Sequence, residues 1–113
     1  MEERIRLSIL LDLYGELLTE KQKDIMELYY NDDLSLAEIS EITNTSRQAV
    51  HDVIKKCHKF LLQYEEKLGL MTQRIKMEKI KVFLLDSIDL LSTKDNKNFK
   101  ILEEMRKYII DNI

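Results

Sequence analysis

Arg47, Gln48, His51, Asp52, Lys55, Lys56 and Lys59 follow closely on Ser46, and they are the residues of this chain best suited to chemistry. The chemistry is recognition rather than catalysis. An arginine matches guanine, and a glutamine matches adenine, through paired hydrogen bonds. Lys55, Lys56 and Lys59 suit phosphates. Ser46, with the free amides of a helix start, suits another phosphate. His51 and Asp52 complete the polar face.

Other chemistries find little support. His51 and His58 are seven residues apart, about two turns of one helix, too far to share a metal without another element. Asp32-Asp33 and Glu65-Glu66 read as solvated helix ends rather than catalytic carboxylates. No glycine-rich phosphate loop is present, and no Ser/His/Asp or Cys/His set stands out. We therefore expect no enzyme, no cofactor and no metal.

These side chains need a helix to carry them and a second element to hold that helix. The stretch LSLAEISEITNTSRQAVHDVIKKCH, residues 34–58, supplies both. Ser35 and Glu38 form a capping box that opens a short helix ending near Thr43. Ser40 is small enough for two helices to touch there. Asn44 tolerates the positive φ that a tight turn demands. Thr45 with Gln48, or Ser46 alone, can cap the next helix. Leu36, Ile39, Ile42, Val50, Val53 and Ile54 are expected to face the core. This is the helix-turn-helix layout, whose second helix reads DNA.

That second helix meets no stop signal before Gly69 and runs about 33 Å from Ser46 to Lys67. Val50, Val53, Cys57, Leu61, Tyr64 and Leu68 repeat at nearly heptad spacing, so its distal half needs a partner helix. Upstream, a first helix spans Glu3 to Leu18. A capping box of Thr19 and Gln22 opens a second, which ends near Tyr30. Downstream of Gly69, a left-handed helix cap, one helix starts at Thr72. It ends at a polar break over 92–96, and another carries Phe99, Leu102, Met105, Ile109 and Ile113. The domain boundary falls at Gly69, giving 1–69 as the helix-turn-helix domain and 70–113 as a helical pair for dimerisation or docking.

Composition agrees with an all-α fold. The 113 residues contain no proline, two glycines and 35% charged residues, too few turn formers for a strand-rich domain. One cysteine, Cys57, excludes an intrachain disulfide and reads as a core residue. No long apolar run suggests a signal peptide or a membrane span, so a cytoplasmic protein without membrane insertion is expected. Residues 1–70 carry nine Lys and Arg against fourteen Asp and Glu, a net −5, whereas residues 71–113 carry a net +2. A nucleic-acid binder is usually basic, so charge does not by itself point to DNA. The apolar surplus of the last helices points to a homodimer.

Several stretches resemble known proteins. Leu18-Thr19 with Gln22, the LYY of residues 28–30 and the LSLAEI of 34–39 are similar to region 4 of sigma-70-type factors. LYYNDDLSLAEISE, SRQAV and EEKLGL, at 28–41, 46–50 and 65–70, resemble the YlxM family of small bacterial helix-turn-helix proteins. The likeness spans nearly residues 10–70. Thr43 and Thr45 replace apolar residues that flank the family's turn, and a looser turn is expected from them. The resemblance implies a DNA-binding regulator linked to the signal recognition particle and its receptor. The alternative is a non-DNA-binding adaptor that binds the particle's protein or RNA and modulates its GTPase cycle.

Overall fold

The computed structural model describes residues 2–94 and 97–113. The chain divides into two compact units, Met1–Met71 and Thr72–Ile113. Every regular element among the described residues is helical.

In the first unit, α1 (Glu3–Tyr14) turns Leu7, Leu10, Leu11 and Tyr14 inward. Helix expected to Leu18 stops at Tyr14, because Gly15–Leu17 tighten into a 3-10 turn and Leu18 is extended. Ile5 and Leu17 are exposed. α2 (Glu20–Tyr30) begins as its sequence requires. Thr19 Oγ1 accepts from the Gln22 amide at 3.2 Å, and Gln22 Oε1 accepts from the Thr19 amide at 3.0 Å. After α2, Asp33 takes a positive φ of 58°. Arg4 clamps this corner: it pairs with Asp33 at 2.8 Å, donates to the Tyr29 carbonyl and lies over the rings of Tyr29 and Tyr30.

α3 (Leu36–Thr43) and α4 (Arg47–Leu68) complete the unit, and α4 is its spine, packing against α1, α2 and α3. The buried line of α4 is Val50, Ile54, Cys57, Leu61 and Glu65, not the expected heptad seam. Val53 and Tyr64 are half-buried and Leu68 is exposed. The partner that its distal half needed lies within the same unit. Tyr14 of α1 lies against Tyr64 in a tilted ring contact, centroids 6.0 Å apart, and hydrogen-bonds Glu65.

Glu65, expected at a solvated end, is therefore buried. Its Oε1 accepts from the Tyr14 hydroxyl at 2.7 Å and from the Met71 amide at 2.9 Å. The same hydroxyl accepts from the Leu70 amide at 3.0 Å. Two amides at the start of α5 (Leu70–Lys94) thus have side-chain acceptors, as helix starts require. Gly69, at φ 64°, is the only residue between α4 and α5, and α5 starts two residues before the expected Thr72.

In the second unit, α5 continues to Lys94, so Ser92–Lys94, expected in a break, are helical. Asp95 and Asn96, the rest of that expected break, lie outside the described residues. α6 (Phe99–Asn112) packs Leu102 and Ile109 on Ile88, with Leu84 and Leu85 beside them. Arg106 pairs with Asp89. Phe99, Met105 and Ile113 are exposed.

Candidate nucleic-acid interface

The geometry of the interface is set by the turn between α3 and α4. Ser35 Oγ accepts from the Glu38 amide, and Glu38 Oε1 accepts from the Ser35 amide, both at 3.1 Å. Asn44 ends α3 at φ 55° and ψ 42°, donating its amide to the Ser40 carbonyl. The Thr45 amide also donates to that carbonyl, at 3.1 Å. Ser46, not Thr45, caps α4: its Oγ accepts from the Ala49 amide at 3.1 Å.

Thr43 and Thr45 tighten the turn rather than loosen it. Thr43 Oγ1 donates to the Ile39 carbonyl at 2.7 Å, and the two threonine hydroxyls lie 2.7 Å apart. Local hydrogen bonding of this kind competes with helix continuation, and here it helps to stop α3 where the turn must begin. Ile39, Val50 and Ile54 are buried as expected, and Leu36 and Val53 are half-buried.

Ile42 departs from the expected pattern: it is 62% exposed. It lines a groove of about 440 Å³ with Leu28, Thr43 and the carboxyl-bearing Asp24, Glu27 and Asp32. Sequence reading missed this groove because Asp24 and Asp32 lie a helix away from Ile42. The carboxylates of Asp24, Glu27 and Asp32 were its visible sign in the sequence.

All eight expected interface residues are exposed. At about 100° per residue, Gln48, Asp52, Lys55 and Lys59 form one stripe opposite the buried line of α4, with His51 beside it. Lys56 flanks the stripe, whereas Arg47 falls near the angle of the buried line and is exposed at the first position of α4. Lys56 Nζ rests 5.6 Å from the centre of the Phe60 ring, a cation–π contact. Within the stripe, Gln48 Nε2 donates to Asp52 Oδ1 at 2.9 Å, and His51 Nδ1 lies 3.7 Å from the same oxygen. His58 pairs instead with Glu3 of α1 at 3.1 Å. No group of three or more His, Cys, Asp or Glu residues among the described residues is placed to hold a metal. Cys57 is fully buried, and burial raises its thiol pKa.

Two helices joined through a left-handed asparagine, the second capped by serine and presenting an exposed polar stripe, define a helix-turn-helix protein. A family model described as "Putative helix-turn-helix protein, YlxM / p13 like" matches residues 1–105. The chain belongs to this family, UPF0122. It is 58% identical to a UPF0122 protein of Clostridium kluyveri over 113 residues, covering all of both chains. It is 54% identical to one of Clostridium novyi over 115 residues, again covering both. It is 52% identical to one of Clostridium acetobutylicum over 111 residues, 96% of each. No helix among the described residues is long and apolar enough to cross a membrane.

Proposed function

We propose that this protein is a cytoplasmic, non-catalytic DNA-binding regulator. Ser46, Arg47, Gln48, His51, Asp52, Lys55, Lys56 and Lys59 form its nucleic-acid surface. The observation that carries the proposal is the exposed stripe of α4 behind a fully capped turn. Such a turn presents the first turn of the second helix to the major groove. Arg47 and Gln48 there suit base edges, while Lys55 and Lys59, without ion pairs among the described residues, suit phosphates. The resemblance to YlxM proteins adds a link to the signal recognition particle pathway. Residues 70–113 make the chain a homodimer, the usual state of helix-turn-helix regulators that read paired half-sites.

A second reading has a specific observation in its favour. The first unit carries a net −5, and the groove at Ile42 combines an exposed apolar side chain with three acidic residues. Such a surface repels nucleic acid and suits a basic protein segment. It fits an adaptor that binds the particle's protein, rather than its RNA, and modulates its GTPase cycle.

Fluorescence anisotropy at two salt concentrations tests both readings, using random duplex DNA, the particle's RNA and the particle's GTPase. DNA binding should weaken with salt, with a log–log slope of about −3 if Lys55, Lys56 and Lys59 meet phosphates. Arg47→Ala/Gln48→Ala should lose at least about tenfold in affinity. Unchanged DNA affinity in that variant overturns recognition by α4. Binding to the GTPase alone, abolished by Ile42→Lys, establishes the adaptor.

A further inference from the structure

The second unit is too poorly filled to stand as it is. Its 42 residues bury only Ile88, Leu102 and Ile109 among the described side chains. Domains near this size usually need oligomerisation, a metal or disulfides. The chain has a single cysteine, and it lies in the other unit.

The missing contacts have a definite place. The short connection between α5 and α6 and their shared core make an antiparallel pair. Ile88 and Leu102 mark the inward direction of each helix. At about 100° per residue, Ile80, Phe83 and Leu91 fall on one flank of α5. Ile101, Met105 and Tyr108 fall on the flank of α6 with the same rotational sense. Because the helices run in opposite directions, these flanks form a single face. Asp89 and Arg106, which pair with each other, fall on the other side.

All six apolar residues are open, from 38% at Ile80 to 69% at Phe83. A cleft of about 330 Å³ at Met105, Tyr108, Ile109 and Glu104 lies within the face. A large side chain about half exposed leaves on the order of 100 Å² open, so the six leave roughly 600 Å². That is the upper end of what monomers expose in one patch. With Leu84 and Leu90 beside it, the face approaches the ~800 Å² per partner of a standard interface.

We propose that this face, centred on Phe83, Leu91, Met105 and Tyr108, binds the same face of a second copy, closing a four-helix bundle across a two-fold axis. The proposal deepens the homodimer in the function proposed above and rests on it. A second copy is the occupant that area and charge favour. Self-pairing buries two such faces at once, the area that a stable dimer needs. The rim carries Lys76 and Lys94 from α5 and Glu104 from α6, so a strongly acidic or strongly basic partner finds no matching field. An isologous contact needs only a self-complementary patch.

Sedimentation equilibrium of the full chain, without nucleic acid, tests this independently of DNA binding. Wild type should be a dimer in the micromolar range. Tyr108→Lys should raise the dimer dissociation constant about thirtyfold or more, and Ile110→Lys, on the other side of α6, should change it little. Since Tyr108 is 68% exposed, its replacement leaves the protomer's own core intact. As a second readout, a short bismaleimide should join two copies of Tyr108→Cys but not of Ile110→Cys. Cys57 is buried and stays silent. A monomeric wild type overturns the proposal, as does a dimer disrupted equally by both lysines or cross-linked equally through both cysteines.

Discussion

Replacing Tyr14 with phenylalanine tests the link between α1, α4 and the first turn of α5. Tyr14 is 1% exposed, and its hydroxyl makes two bonds, one to Glu65 Oε1 and one from the Leu70 amide. Phenylalanine keeps the ring and its contact with Tyr64 but removes both bonds. A hydrogen bond to a carboxylate contributes about 1.5–3 kcal/mol, and a buried amide left without an acceptor costs about 1–3 kcal/mol. Since the Leu70 amide is only partly buried, the sum should be about 3 kcal/mol. For a unit of this size that is on the order of 10–20 °C in Tm. Urea denaturation followed by circular dichroism measures it directly. In a double-mutant cycle with Glu65→Ala, the two losses should fall short of additive by about 1 kcal/mol or more.

Alkaline pH supplies a second arm. Burial, and next the hydrogen bond to Glu65, raise the Tyr14 pKa above its ordinary 10.0. Above that pH an unfolded tyrosine loses its proton while the folded one keeps it. The folded state then binds more protons than the unfolded state, and stability falls as pH rises towards the folded pKa. Cys57 and Tyr30, also raised by burial, contribute a similar fall to both proteins. The difference between wild type and Tyr14→Phe isolates Tyr14, and this difference should shrink as pH climbs past about 10. A loss below about 1 kcal/mol, with additive double mutants and parallel pH profiles, would refute the reasoning.

Three further outcomes concern the helix ends and the recognition stripe. Gly69→Ala should destabilise by about 1–2 kcal/mol in the same urea assay, through backbone strain alone, because a Cβ there meets nothing within 4 Å; Asn44→Val should cost at least as much, since a β-branched residue resists the φ of 55°. Asp52→Asn should raise non-specific DNA affinity by a few-fold at low salt and by less at high salt, because it removes the negative charge that holds Gln48 on the recognition stripe; anisotropy showing no gain would remove Asp52 from the interface.

Much of the architecture was written in short-range signals. Thr19 with Gln22 and Ser35 with Glu38 cap their helices across three residues, and Asn44 and Gly69 take the left-handed conformations their types permit. Each depends on neighbours within one helical turn, so each is visible in a linear reading. The same holds for the exposed stripe from Gln48 to Lys59, which follows from helical spacing once the start of α4 is known. The choice between Thr45 and Ser46 as cap lay at the edge of that range, and Ser46 took the role.

Tertiary structure decided what depends on residues far apart in sequence. Near-heptad spacing along α4 is compatible with more than one buried line, and contact with α1, α2 and α3 selected Val50, Ile54, Cys57, Leu61 and Glu65. Glu65 looked like half of a solvated acidic pair until Tyr14, 51 residues earlier, supplied a donor that makes its burial tolerable. Ile42 has the character of a core residue, yet it lies open beside the acidic residues of α2. By itself the sequence determined most helix caps, the turn at Asn44 and the polar stripe of α4, because those choices are local. Packing alone decided which apolar residues are covered, because burial depends on what the rest of the chain brings alongside.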